Sequence, residues 1–301
     1  MTSPLTFDGR SGQRDEYLAQ ESKGEGTTGG IMRASRAVTV GLLTALAAVF
    51  ARAAAAEQAY PWSAIGRLER TGGGYCTGVL IGRRIVLTAA HCLFHPFERR
   101  WLPASSFFFT PGYGTPARSR RSIARDYRIA PGYNPLRRPA MESEGVDLAL
   151  VLLVEGVGDE AGFIAWLRGP GLERTLRGPG GDDLLEAGYA HNRSHRLTVH
   201  EHCRVLDYDR DRNLFLHSCV SLKGESGSPL LARLGGQYSI VGIEIGIAGS
   251  HDEPSRRWGA AATVQVLERM LSNPRDSFAP LSDADVWGDP RNRIPPASPR
   301  R

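Results

Sequence analysis

Four cysteines constrain this chain more than any other feature, because they fall into two local pairs of equal spacing. Cys76 and Cys92 stand 16 residues apart, and so do Cys203 and Cys219. Between the first two run Thr77-Gly78-Val79-Leu80-Ile81, a Gly82-Arg83-Arg84 turn and Ile85-Val86-Leu87, the pattern of a hairpin bending near Arg84. Between the second two, Arg204-Val205-Leu206 and Leu214-Phe215-Leu216 flank the polar turn Asp209-Arg210-Asp211-Arg212-Asn213. A hairpin returns its ends to the Cα–Cα distance of about 5–6 Å that a disulfide needs. Four cysteines permit three pairings, and hairpin geometry selects Cys76–Cys92 and Cys203–Cys219. The competing reading is four reduced, buried thiols, which an oxidising compartment disfavours.

The N-terminal region points to such a compartment. Met32-Arg33-Ala34-Ser35-Arg36 is followed by an apolar stretch from Ala37 to Ala51 and by Ala53-Ala54-Ala55-Ala56 before Glu57. Basic, apolar and small-residue segments in that order form a secretory signal peptide, expected over 32–56 with cleavage after Ala56 or, second, Ala53. Its apolar core is about 15 residues, short of the ~20 needed to cross a bilayer. The expected location is therefore secreted or periplasmic, without stable membrane insertion after cleavage. Residues 1–31 are polar and lack apolar periodicity; they are expected to be unstructured or to lie upstream of a true start at Met32. The Pro/Arg-rich segment 273–301 is expected to be disordered, leaving 57–272 as the folded domain.

Within that domain, many glycines and prolines (35 and 19 in the chain) and scarce helical periodicity predict an all-β architecture. The net charge of +5 is small and its basic residues are interspersed with acids, which excludes a dedicated nucleic-acid binder. The runs at Arg118–Arg121 and Arg137–Arg138 read as solvated loops. A strand is expected from Tyr60 to Leu68, another over Tyr238 to Gly246 and a third around Ala260–Thr263. Residues 154–182 read as irregular, and Val264 to Leu271 carries one apolar face of a short terminal helix.

Three windows carry chemistry. Gly224-Glu225-Ser226-Gly227-Ser228-Pro229 sets a serine in a tight turn whose glycines allow φ values that a Cβ resists, and such a turn aims backbone N–H groups at one point. Leu87-Thr88-Ala89-Ala90-His91-Cys92 ends a strand on a histidine beside a cysteine staple, the placement of a rigid general base; read alone, it is equally a surface histidine. Gly145-Val146-Asp147 leads directly into the apolar run Leu148 to Leu153, so the carboxylate lies at a core edge and needs a hydrogen-bonding partner. An imidazole would serve, and a strand-capping aspartate is the alternative. His191, His195, His200 and His202 are closely spaced, but no metal-ligand signature matches; they read as solvent-facing, and no metal or cofactor is expected.

The blocks Thr88-Ala89-Ala90-His91-Cys92, Asp147-Leu148-Ala149-Leu150 and Gly224-Glu225-Ser226-Gly227-Ser228-Pro229 resemble, in this order, those of trypsin-like serine peptidases. Ser63-Ala64-Ile65-Gly66, the Ser-Gly-Ser-Pro ending and the two disulfides resemble the bacterial glutamyl-endopeptidase branch. The resemblance spans roughly Tyr60 to Ser272. It implies a double six-stranded antiparallel β-barrel with a short C-terminal helix, a catalytic His91, Asp147 and Ser226, and an oxyanion hole from the N–H groups of Gly224 and Ser226. The implied protein is a monomer acting on protein or peptide substrates through an acyl-enzyme. A peptidase fold that only binds is the alternative.

Two departures accompany the likeness. No Ile-Val-Gly-Gly activation sequence precedes the domain, and Glu225 stands where activated trypsins pair an aspartate with their N-terminus, so its role is open. The implied substrate pocket holds Val220, Ser221 and Glu244: Val220 stands where an aspartate would give basic specificity, and Glu244 where glutamyl endopeptidases place a carboxylate-gripping histidine. Either Glu244 lines the pocket and favours a basic or neutral side chain, or it points elsewhere.

Overall fold

A computed structural model describes residues 60–115, 120–136, 144–249 and 257–271. The expectations for 1–31, 32–56 and 273–301 lie outside those residues. Among the described residues fifteen strands are formed: β1 (Ile65–Arg70), β2 (Tyr75–Leu80), β3 (Ile85–Thr88), β4 (Phe94–His95), β5 (Arg100–Trp101), β6 (Phe107–Pro111), β7 (Ser122–Ile129), β8 (Ala149–Leu153), β9 (Leu184–Gly188), β10 (Thr198–Cys203), β11 (Val205–Asp209), β12 (Leu214–His217), β13 (Pro229–Leu234), β14 (Gln237–Gly249) and β15 (Arg257–Thr263).

The first six long strands close into an antiparallel barrel in the order β1-β2-β3-β8-β7-β6. Within it β3 and β8 are buried at every position, whereas β6 and the start of β7 alternate buried and more exposed residues. Glycine is required where β1 crosses β6: a Cβ on Gly66 would stand 2.2 Å from the Thr110 carbonyl oxygen. β4 and β5 form a small separate ribbon.

The remaining strands form a seven-stranded sheet, β10-β9-β13-β14-β15-β12-β11. Its two edges, β10 and β11, are separated in the chain only by Arg204. The sheet therefore curls until its edges are consecutive residues of one bent strand, and counting that strand once gives the order of the first barrel. A register shift between His200 and Cys203, with His202 at φ 58°, marks the bend. Arg204 is tied to the other arm of its hairpin, its N–H donating to Ser218 Oγ at 2.8 Å and its carbonyl accepting from Ser218 N–H at 2.9 Å. The expected six-stranded second barrel is thus a seven-segment one, because one strand breaks to turn the corner.

Both hairpins carry their disulfides, with Cα–Cα distances of 6.1 Å for Cys76–Cys92 and 5.1 Å for Cys203–Cys219. A helix at Val266–Leu271 packs Val266, Leu267 and Met270 inward. The stretch expected to be irregular contains a further helix, Gly169–Arg177, which buries Leu172 and Leu176. Its Gly-Pro-Gly opening suggests a loop, but proline in a first turn lacks only an N–H that has no helical partner there. Among the described residues no helix is long and apolar enough to cross a membrane.

Candidate active site

His91 lies in the single helical turn Ala90–Leu93 that follows β3, and Asp147 directly follows the turn Glu144–Val146 that leads into β8. Since β3 and β8 pair with Thr88 opposite Ala149, the two turns leave adjacent strands on the same rim. The contact is made twice over. Asp147 Oδ1 accepts the His91 backbone N–H at 2.8 Å, and Oδ2 meets His91 Nδ1 at 2.7 Å. Gripping both backbone and ring, one carboxylate fixes the Nδ1–H tautomer and directs Nε2 away from Asp147. Burial pulls the imidazole's pKa down, but the charge and hydrogen bond of Asp147, with the charge of Glu244 behind them, hold it above the ordinary histidine range.

Sequence reasoning missed a third neighbour of that carboxylate. Tyr133, read as part of a turn, lies close to Asp147, and burial with the nearby Asp147 charge pushes its phenol well up. A Pro-Gly-Tyr-Asn-Pro stretch carries no sign that its tyrosine folds back onto an acid further along the chain.

The serine turn reaches this rim from the second barrel. Ser226 is half-buried, and its carbonyl accepts the Thr77 N–H at 2.9 Å and lies 4.0 Å from Cys92 Sγ. The serine backbone is thereby held against the residue that follows His91. Thr77 is a second residue the sequence did not reveal: its hydroxyl donates to Gly224 O at 3.1 Å and accepts the Tyr189 N–H at 2.9 Å. One β2 residue thus ties the first barrel to both segments that flank the turn.

Within the turn, the N–H of Glu225 goes to Leu222 O at 3.1 Å, that of Gly227 to Glu244 O at 2.7 Å and that of Ser228 to Glu225 O at 2.8 Å. The N–H groups of Gly224 and Ser226 find no acceptor among the described residues. Gly224 adopts φ 95° with Tyr189 O where its Cβ would go, and Gly227 adopts φ 88° against Thr77 O, so neither position admits a side chain. Two free donors on either side of one residue make a receptor for a developing negative charge.

Of the expected pocket residues, Val220 is 65% exposed, whereas Ser221 and Glu244 are buried. Glu244 turns inward: Oε2 meets His217 Nε2 at 2.7 Å and Oε1 accepts the Gly246 N–H at 3.0 Å. Burial pushes the Glu244 carboxyl well up and the His217 imidazole down, so burial works against a charged pair here. Behind it lies Glu186, fully buried, with neither oxygen hydrogen-bonded, and pushed well up by burial and by Glu244.

The four clustered histidines disperse to four partners. His191 stacks on Tyr75 and His195 on Tyr113, His202 meets Asp183 at 2.8 Å, and His200 meets Glu225 at 3.2 Å. His200 departs from the solvent-facing expectation, since its side chain is only 23% exposed. The bend that follows it in β10 turns it onto the serine turn.

Two like-ordered barrels, with a histidine–carboxylate pair on one rim and a glycine-flanked serine turn brought against it, define a class, the chymotrypsin-fold proteins. A family model described as Trypsin matches residues 50–270, and the chain belongs to that family of serine-type endopeptidases. Over 111 residues it is 32% identical to a cercarial protease of Schistosoma mansoni, covering 35% of this chain and 39% of that protein's length. Among solved structures, a Glu endopeptidase in complex with MPD superposes with a TM-score of 0.53 at 20% identity, over 71% of this chain and 91% of the other.

Proposed function

We propose that this protein is a secreted serine endopeptidase working through a Ser226–His91–Asp147 triad and an acyl-enzyme. The observation that carries the reading is the doubly bonded Asp147–His91 pair facing a turn with two unengaged N–H groups. Ser226 Oγ attacks the scissile carbonyl while His91 Nε2 takes its proton. The tetrahedral oxyanion lies against the N–H groups of Gly224 and Ser226, each contributing about 3–4 kcal/mol. His91 then protonates the leaving amine, and water deacylates the serine by the same exchange in reverse. Asp147 holds the ring and stabilises its charged form.

The preference of the Glu endopeptidase does not transfer with the fold. Both Glu244 oxygens are engaged inside the protein and offer no donor to a substrate carboxylate. Glu186 and Glu225 add further acids beneath the site, so a neutral or basic side chain before the scissile bond is favoured. Incubating the secreted protein with a peptide library, alongside Ser226→Ala, tests both statements. Cleavage after neutral or basic residues that Ser226→Ala abolishes is expected. Cleavage that survives in the variant contradicts the mechanism, and a strong preference for glutamate contradicts the pocket reading. A folded protein that cuts nothing returns the alternative of a binding protein.

A further inference from the structure

The serine turn contains a fully buried acid that takes no part in the chemistry above. Glu225 lies between Gly224 and Ser226, the two residues whose N–H groups are free, and its side chain points into the second barrel. Each of its oxygens has one partner. Oε2 accepts the Leu222 N–H at 2.7 Å, closing the turn on itself, and Oε1 meets His200 Nε2 at 3.2 Å. Glu186 and Glu244 are buried nearby, and the Glu225 charge helps push both of their carboxyls up. Of the two imidazoles in this cluster, His217 is bonded to Glu244, which leaves His200 to serve Glu225.

We propose that His200 is a positioning residue for the oxyanion-binding turn, clasping Glu225 so that the Gly224 and Ser226 N–H groups converge. This rests on the serine-endopeptidase reading given above. A buried carboxylate keeps its place only while it is paired, and otherwise swings toward water or takes up a proton. If Glu225 leaves, the Leu222 N–H loses its acceptor, and the peptide planes before Gly224 and after Glu225 are freed. Those planes carry the Gly224 and Ser226 N–H groups, the two oxyanion donors. Gly224 holds φ 95°, a conformation that the closed turn imposes on a residue free to adopt others. The first barrel cannot substitute for the clasp, because Thr77 grips only the carbonyls of Gly224 and Ser226. His200 keeps an edge open to solvent, so a small base from solution can reach the same place.

The test compares full-length wild type with His200→Ala, His200→Gln and His200→Lys in hydrolysis of p-nitrophenyl acetate and in labelling by a fluorophosphonate, with thermal melting of each. The proposal expects His200→Ala to lose tenfold to a hundredfold in kcat with KM within twofold, and to label correspondingly slowly. His200→Lys and His200→Gln, which keep a donor toward Glu225, should recover most of the rate. Added imidazole should raise the rate of His200→Ala but not of wild type. A folded His200→Ala with kcat within twofold of wild type overturns the proposal. So does a loss that tracks melting temperature alone and is not relieved by lysine, glutamine or imidazole. If His200→Ala does not fold, His200→Gln against His200→Lys decides, and two folded variants both as slow as Ser226→Ala contradict the clasp. Wild type that neither hydrolyses the ester nor takes the label refutes the endopeptidase reading itself, and the proposal falls with it.

Discussion

In the first barrel the strand order β1-β2-β3-β8-β7-β6 encloses Leu68, Ile85, Leu87, Phe107, Phe109, Leu150 and Leu152, and among the described residues its buried polar side chains are Arg67, Thr77, Thr88, Ser122 and Asp147. In the second barrel the same order surrounds Glu186, Glu225, Glu244 and His217, all fully or almost fully buried. The first barrel is a packed frame whose two chemical residues stand on rim turns, braced by backbone hydrogen bonds. The second gives up part of its apolar interior to acids that reach the serine turn from below. A common topology thus does two jobs. Under the proposed mechanism, one half holds the base still, and the other sets the electrostatics under the nucleophile.

The contrast makes its strongest claim at the rim of the first barrel. Asp147→Asn keeps the shape but reverses the hydrogen-bond sense toward Nδ1, so kcat/KM should fall by about ten-thousandfold with little change in melting temperature. Steady-state kinetics on any cleaved peptide and a melting curve check this; a loss below tenfold would mean the pair is only structural. A smaller effect is expected where the barrels meet. Thr77→Val deletes the hydroxyl shared by Gly224 O and Tyr189 N–H, and stranding those groups should lower stability by about 1–3 kcal/mol, read from denaturant unfolding.

The interior of the second barrel predicts the opposite sign. The Glu186 carboxyl is pushed up by burial, so its native form binds a proton that the unfolded chain releases. Its burden on stability is therefore absent below the ordinary carboxylate range and grows as pH rises toward its own raised value. Glu186→Gln should leave unfolding unchanged near pH 4 and stabilise by about 1–3 kcal/mol at pH 8. Equal effects at both pH values would show that Glu186 is not a buried, unpaired acid. The smallest predicted effect crosses between the halves. The Glu244 charge helps hold His91 above the ordinary range, so Glu244→Gln should move the acid limb of kcat/KM to lower pH. An unmoved limb would sever that connection.

How far the sequence spoke for itself follows the same division. His91, Asp147 and Ser226 stood out because each window pairs a chemical residue with a local marker: a strand end, an apolar run or flanking glycines. The hairpins were readable because their cysteines lie close in the chain. Glu225 and His200 were visible singly but not as partners, because 25 residues and a bend in β10 separate them. Thr77 and Tyr133 carried no marker, since a strand threonine and a turn tyrosine are ordinary until the chain folds back on them. Glu244 was found by its position, yet its inward rotamer depends on His217 across the sheet, which no local pattern encodes.

The most direct test is to react the mature protein with a fluorophosphonate, digest it and locate the adduct by mass spectrometry, in wild type and in His91→Ala. The account predicts one adduct per chain, on Ser226, formed at least a thousandfold more slowly when His91 is removed. An adduct on another residue, or labelling of Ser226 at the same rate without His91, would contradict it.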